Sequence, residues 1–323
     1  MNILFHGKIS GTHSISIVNY HIVRELQRNG HANIHLKPKE GIEYDVEIRH
    51  TYPPNFKSSV ANKLIFIQPW EFNKVPMEWI YQFNRKANLL IVPSKYNKEI
   101  YENAGIDCKI DVIPNGIDNK ALEKKRIQGD LVTYLYIGSH QYRKGIDILL
   151  DVWEGSFCND SKKKLIIKLM NHVYGKSIRI QERIKNIPNV MLITDELDTL
   201  THLYDISDVL IVPSRGEAFC MPVMEAISNG INYIICPEVG PYKEYVTINS
   251  YLKCKPEIVD PVEHFIGKPG DAYSGMGGHF VVFSPLKADL EYKIKNYKSS
   301  LVLDHKYMDW ISIGKIYNSK LIE

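Results

Sequence analysis

Short apolar runs alternating with longer segments of helical periodicity constrain the fold of this chain more than any other feature. The runs are rich in Ile, Leu and Val and apolar at consecutive positions, which is typical of parallel strands covered by helices on both faces. The predicted strands are 3–6, 33–36, 64–67, 89–92 and 110–113, then 132–137, 165–168, 190–193, 209–212 and 233–236. This pattern predicts a doubly wound α/β architecture.

The predicted strands fall into two series, separated by a proline- and glycine-bearing turn at Pro114–Asp118 and a polar stretch. We therefore expect a Rossmann-like domain at 1–118, a linker at 119–130 and a second Rossmann-like domain at 131–305. A helical segment at 306–323 is expected to pack back on the first domain. Because ligands of such sheets collect at the carboxyl ends of the strands, the two domains are expected to face each other across a cleft.

From about residue 251 to residue 283 the strand and helix pattern weakens, and glycines interrupt it. This stretch is predicted to form loops, and no site is assigned to it. Helical periodicity returns at 286–298 and at 307–321.

Composition excludes several classes of protein. The 40 Lys and Arg residues against 37 Asp and Glu give a formal charge of only +3, which gives no reason to expect a nucleic-acid partner. The five cysteines are scattered and never in metal-binding spacing, so a reducing cytoplasm is expected, without a disulfide framework or zinc site. No apolar stretch approaches the ~18 residues of a spanning helix, so any membrane contact would be peripheral.

Two glutamates mark the segment with the most chemical information. It reads as strand, loop and helix, with Pro222 suited to the first helical turn and Gly230 to the helix end. Glu217 then lies in the loop and Glu225 about one turn inside the helix. A helix N-terminus flanked by carboxylates can bind a diphosphate and accept hydrogen bonds from sugar hydroxyls. For an isolated pair, an exposed helix glutamate and a favourable first-turn anion are the simpler explanation.

The residues around the two glutamates favour the binding interpretation. The run Pro213-Ser214-Arg215-Gly216-Glu217-Ala218-Phe219-Cys220-Met221-Pro222-Val223-Met224-Glu225-Ala226 resembles the signature of the family-4 glycosyltransferases, which are retaining enzymes of GT-B fold. The resemblance implies that Glu217 contacts hydroxyls of the transferred sugar and Glu225 holds the ribose. It implies that the donor is lined by Ala218, Phe219, Cys220 and Met221. Ala218 and Cys220 depart from the family, which usually has glycine at both positions.

A second stretch, from Gly138 to Gly145, resembles the Gly-Arg-x4-Lys-Gly segment in which the family neutralises the diphosphate. Lys144 matches the family lysine. Ser139 replaces the family arginine, and the neighbouring Arg143 is our candidate for the missing charge. An alternative is a surface pair of basic residues that opens a helix.

The N-terminal half offers further candidates. Gly11 and Thr12 lie in a glycine-bearing loop after the first strand, which resembles the family loop near the donor phosphates. Where many members carry a cleft histidine, this chain has Gln68, Trp70 and Glu71. These three residues are candidates for the acceptor site, although a buried Trp more often serves packing.

Together these features predict a retaining glycosyltransferase that moves a sugar from a nucleotide diphosphate sugar to a hydroxyl of a carbohydrate or glycoconjugate. No cofactor is expected, and the lack of an Asp-x-Asp pair predicts independence of metal ions. A nucleotide-sugar 2-epimerase and a phosphorylase of similar architecture fit the motifs less well. The alternative from another class is a catalytically silent GT-B subunit that binds for an active partner, and Ser139, Ala218 and Cys220 keep it open.

Overall fold

The chain folds into two compact units in the computed structural model, which describes residues 1–11, 14–118, 130–170, 178–244, 246–247, 250–260, 279–297, 304–305 and 308–322. One unit comprises the described residues up to 118 and those from 308 onward. The other comprises the described residues between 130 and 305. All but the last residue of the expected linker lies outside the described residues.

The first unit is built on a six-stranded parallel sheet. Its strands are β1 (Ile3–His6), β2 (Ile34–His35), β3 (Tyr44–Arg49), β4 (Ala61–Ile67), β5 (Leu89–Val92) and β6 (Ile110–Val112). They are ordered β2-β1-β3-β4-β5-β6. The connections include helices α1 (Ser14–Arg28), α2 (Met77–Lys86) and α3 (Lys95–Asn103). The side chain of Ser94 caps α3 by accepting a hydrogen bond from the Asn97 amide.

The second unit repeats this plan with a parallel sheet ordered β13-β11-β10-β7-β8-β9. Those strands are β7 (Val132–Gly138), β8 (Lys163–Leu169), β9 (Val190–Ile193), β10 (Val209–Ile211), β11 (Tyr233–Pro237) and β13 (Tyr251–Leu252). Antiparallel pairs are formed by β12 (Val246–Thr247) with β16 (Asp304–His305) and by β14 (Cys254–Val259) with β15 (Phe280–Pro285). The helices are α4 (Ile146–Ser156), α5 (Ile178–Lys185), α6 (Thr201–Asp205), α7 (Met221–Ser228) and α8 (Lys287–Lys295). Two doubly wound α/β units agree with the predicted fold class.

Two parts of the predicted strand pattern were wrong. Strand β3 was missed because Glu47 and Arg49 interrupt its apolar residues, although both are buried as an ion pair. The loops expected between 251 and 283 contain β13, β14 and the start of β15 among the described residues. Strand β14 escaped detection because the charged residues Lys255 and Glu257 interrupt it, so it has no continuous apolar run.

The Glu47–Arg49 pair anchors the segment between β3 and β4. The Arg49 guanidinium donates to Glu47 and to the carbonyls of Asn55 and Lys57, while Glu47 accepts from the Ser59 hydroxyl at 2.7 Å. Burial alone would raise the pKa of Glu47, but hydrogen bonds from His6, Ser59 and Arg49 outweigh it and lower the pKa to about 2. The buried carboxylate therefore stays ionised and partnered.

The C-terminal helix α9 (Trp310–Ile322) packs on α1 within the first unit. The two helices approach closely, since a Cβ added at Gly314 would lie 2.3 Å from the Cβ of Glu25. Trp310 stacks on His21 of α1 with ring centroids 4.4 Å apart. Glycine at position 314 is thus required by the close contact of the helices.

Replacement of His21 by Phe is expected to make the first unit less sensitive to acid. Burial, which outweighs the opposing charge of Asp118, lowers the pKa of His21 from 6.5 to about 4. Between pH 6.5 and pH 4 the imidazole is protonated in the unfolded chain but stays neutral in the folded chain. The contribution of His21 to the free energy of unfolding is therefore present above pH 6.5 and is lost as the pH falls toward 4. The slope is at most about 1.4 kcal/mol per pH unit.

His21→Phe keeps an aromatic ring against Trp310 and removes this titration. Urea unfolding at pH 6.5 and pH 5 measures the effect, with the wild type expected to lose about 1–2 kcal/mol more than the variant. An equal loss in both proteins would contradict the buried, neutral imidazole.

Candidate active site

Glu217 lies in the loop that joins β10 to α7, at the carboxyl end of a central strand of the second sheet. Its side chain is almost fully buried. A buried carboxylate needs charged or hydrogen-bonded partners, and this one has three. Its Oε1 accepts from Lys144 Nζ at 2.6 Å and from Ser214 Oγ at 2.8 Å, and its Oε2 lies 3.2 Å from Arg143 Nη1.

These partners decide the ionisation of Glu217. Burial by itself raises the pKa of the carboxyl group, but the charges of Lys144 and Arg143 outweigh it and hold the pKa below its ordinary value. Two cations thus surround one anion. The cluster keeps one excess positive charge, which favours a further anion at the exposed part of Lys144.

Lys144 and Arg143 belong to a short 3₁₀ turn, Tyr142–Lys144, between β7 and α4. Gly145 follows in the left-handed region with φ of 66°, and a Cβ there would lie 1.9 Å from the carbonyl oxygen of Pro213. Only glycine allows this approach of the two loops. The turn therefore brings Lys144, whose side chain is 20% exposed, onto Glu217.

The other candidates between Gly138 and Lys144 are more deeply buried than Lys144 or lie away from Glu217. Arg143 is buried, and its Nη1 donates to the carbonyl oxygen of Gly216 at 2.8 Å. Its guanidinium is thus directed to the Glu217 loop. Ser139 is buried and forms a 3.4 Å hydrogen bond with Gln141, while the backbone of Gly138 packs against the hydroxyl of Tyr136.

Glu225 lies in the second turn of α7, partly exposed. Its Oε2 accepts a 2.6 Å hydrogen bond from the hydroxyl of Tyr204, which comes from α6. Burial, together with the charge of Glu225, raises the pKa of Tyr204 well above its usual range, so the phenol remains a donor. Tyr204 was not among the predicted site residues, because nothing in its sequence position marks it as a partner of Glu225.

The entry to α7 has an unusual backbone. Cys220 immediately precedes the helix with φ of 68°. Among the residues that the structure describes, it is the one non-glycine residue with a positive φ. A side chain in this region costs about 1–2 kcal/mol. Ala218 and Phe219 are buried beside it, and Met221 and Pro222 form the first turn of α7. The family glycine that Cys220 replaces would adopt this conformation without strain.

The predicted residues of the first unit differ in exposure. Gly11 has φ of 112° in an exposed loop, and Thr12 lies outside the described residues. Gln68 and Trp70 are buried, and the Trp70 indole donates to the carbonyl of Lys74 at 2.7 Å. Glu71 is partly exposed. Trp70 thus packs in the interior of this unit, and its role at the acceptor site stays a prediction.

Sequence reasoning also missed polar residues that lie beside Lys144 and Glu217, notably Ser214 and Arg215. Both lie within the recognised motif, at positions to which the motif assigns no role. Within the described residues no group of His, Cys, Asp and Glu side chains is arranged to hold a metal ion. No helix described in the structure is long and apolar enough to cross a membrane.

Comparison with protein families gives two adjoining matches. Residues 118–260 match the family described as "Glycosyl transferases group 1", and residues 46–120 match "Glycosyltransferase Family 4". The first match contains Lys144, Glu217 and Glu225. Both families are described as glycosyltransferases, and together the two matches cover residues 46–260.

One curated relative is also named as a glycosyltransferase. The lipopolysaccharide 1,2-N-acetylglucosaminetransferase of Salmonella typhimurium is 25% identical over 201 residues, which are 55% of this chain and 52% of that protein. The match thus spans about half the length of the relative.

Solved structures resemble between three quarters and all of the chain. Anabaena Alr3699/HepE in complex with UDP and glucose has a TM-score of 0.64 at 15% identity, covering 100% of this chain and 99% of that chain. WaaG, a glycosyltransferase of lipopolysaccharide biosynthesis, has a TM-score of 0.51 at 13% identity, covering 76% and 83%. S. aureus TarM, in complex with UDP and other ligands, has a TM-score of 0.53 at 15% identity, covering 87% and 53%. At these identities the likeness shows the fold, which is GT-B.

Proposed function

We propose that the protein is a retaining glycosyltransferase that moves a sugar from a nucleotide diphosphate sugar to a hydroxyl of a carbohydrate or glycoconjugate acceptor. The observation that carries this proposal is the buried cluster of Glu217 with Lys144 and Arg143, at the carboxyl end of the second sheet. The family matches and the relative support the reaction class. Glycan biosynthesis in the cytoplasm is the setting that we propose.

Lys144 is the proposed contact to the diphosphate. Its ammonium group has three donors, and Glu217 takes one of them at 2.6 Å. The partly exposed ammonium can therefore keep its bond to Glu217 while it donates to a phosphate oxygen. This position suits the charge that develops on the leaving diphosphate, since stabilisation of that charge in the transition state accelerates transfer.

Glu217 and Glu225 are proposed to divide the recognition of the donor. Glu217, held ionised by its basic neighbours, would accept hydrogen bonds from the transferred sugar and stabilise an oxocarbenium-like transition state. Glu225, oriented by the Tyr204 hydroxyl, would hold the ribose. In the retaining mechanism, the leaving diphosphate itself helps to remove the acceptor proton on the same face, so no separate base is required.

Transfer is proposed to proceed without a metal ion. Because Lys144 and the helix N-terminal amides meet the leaving-group charge, we expect release of nucleoside diphosphate from a suitable nucleotide sugar to continue in EDTA. The measurement is coupled detection of nucleoside diphosphate, with and without acceptor, after screening nucleotide sugars by thermal shift. A strict requirement for Mg²⁺ or Mn²⁺ would contradict metal independence. Tight donor binding without any turnover would favour the silent binding subunit.

A further inference from the structure

Arg215 lies at the centre of a buried polar network that adjoins the proposed donor site. Its side chain is 4% exposed. It donates to both carboxylate oxygens of Asp147 at 2.8 and 2.6 Å, to the carbonyl of Tyr142 at 2.6 Å and to the hydroxyl of Ser284 at 2.9 Å. The guanidinium also stacks on the Tyr142 ring at 3.6 Å.

These contacts join the two loops that carry Lys144 and Glu217. The backbone amide of Arg215 donates to the carbonyl of Arg143 at 2.7 Å, so the loops are linked through the main chain as well. Tyr142 begins the turn that ends at Lys144, and Glu217 follows Arg215 by two residues. Arg215 thus connects the turn that carries Lys144 to the loop that carries Glu217.

The same residue ties the cluster to the hairpin of β14 and β15. Ser284 lies on β15, and Glu257 of β14 accepts a hydrogen bond from the Tyr142 hydroxyl. The Glu257 carboxylate also lies 3.6 Å from Arg215 Nε. A buried arginine with this number of partners is held in one conformation, because a rotation would leave its charge unpaired.

We propose that Arg215 is a positioning residue that holds Lys144 against Glu217 for sugar transfer, and that the β14–β15 hairpin supports the donor site through it. This inference rests on the proposed function. Lysine cannot replace this arginine, because a single ammonium cannot span Asp147, the Tyr142 carbonyl and Ser284 together. Loss of the fork is expected to misplace the reacting groups, which affects rate more than donor binding.

Arg215→Lys is the test, with Arg183→Lys as the matched control. Arg183 is also a paired arginine of this unit and contacts Asp151 and Glu154 of α4. Asp147, the partner of Arg215, lies in the first turn of the same helix. We expect Arg215→Lys to lower kcat by about 10-fold or more while the donor KM changes less than about threefold. Arg183→Lys should leave both constants at the wild-type value.

A purely structural role for Arg215 would reduce the amount of folded protein without changing kcat per nucleotide-binding site, which calorimetry counts. If the two lysine variants have equal kcat values, the inference about Arg215 is wrong. In that case, turnover by the wild type still supports the proposed function. If Arg215→Lys does not fold, Asp147→Asn, which removes the paired charge from a half-exposed position, should lower kcat in the same direction. An unchanged kcat there would also overturn it. A wild type without turnover would overturn both proposals.

Discussion

Glu217→Gln is expected to lower turnover by about 10- to 150-fold, which corresponds to about 1.5–3 kcal/mol for one charge-assisted contact. The substitution keeps the shape of the side chain but removes the negative charge that Lys144 and Arg143 surround. The proposed oxocarbenium-like transition state would lose the stabilisation that this negative charge supplies, so the effect is expected on kcat. Steady-state kinetics with saturating donor measure it.

Glu225→Gln provides the matched comparison, since it makes the same chemical change on the helix that follows. The proposed ribose contact would be made equally in the ground and transition states, so the donor KM should rise more than kcat falls. The amide oxygen can still accept from Tyr204, which preserves the local packing. If both variants fold and keep wild-type kcat and donor KM, the roles assigned to the two glutamates are wrong.

Gly145→Ala is expected to destabilise the second unit by about 3–5 kcal/mol. Its φ of 66° disfavours any side chain, and the new Cβ would lie 1.9 Å from the carbonyl oxygen of Pro213. The loops that carry Lys144 and Glu217 would have to separate. Donor turnover should therefore fall together with stability.

Gly155→Ala is the control for this substitution. Gly155 lies near the end of α4, and a Cβ there meets nothing within 4 Å. Alanine should stabilise this helix by up to about 1 kcal/mol. Urea unfolding of both variants decides the matter. If the free energy of unfolding of Gly145→Ala lies within about 1 kcal/mol of the wild-type value, as for an ordinary surface substitution, the close approach of the loops is not required for stability.

The sequence was sufficient to predict most strands of both parallel sheets, because strands buried on both faces are continuous apolar runs. It was insufficient for β3, where Glu47 and Arg49 are buried as a pair and look like surface residues in the sequence. The antiparallel pair of β14 and β15 was missed as well. Its register joins segments on either side of 261–278, and no local pattern identifies such pairing.

For the candidate site, the sequence predicted a set of candidate residues but not their mutual contacts. The motif brought Glu217 and Lys144 into the same site, while the 2.6 Å bond between them depends on loop geometry at Gly145. Arg143 was assigned to the diphosphate because of its charge. Its guanidinium is buried against Glu217 and the Gly216 carbonyl, which no spacing rule could indicate. The role of Arg143 toward the diphosphate stays a prediction.

The central claim is that the second unit binds a nucleoside diphosphate through Lys144. Isothermal titration of the wild type and Lys144→Ala with UDP and GDP tests it most directly, because product binding needs neither the acceptor nor the correct sugar. We predict that the wild type binds one of the two nucleotides and that Lys144→Ala weakens this binding by about 10-fold or more, as expected for one charge-assisted contact. Equal affinity in both proteins, or no binding by the wild type, would contradict the claim.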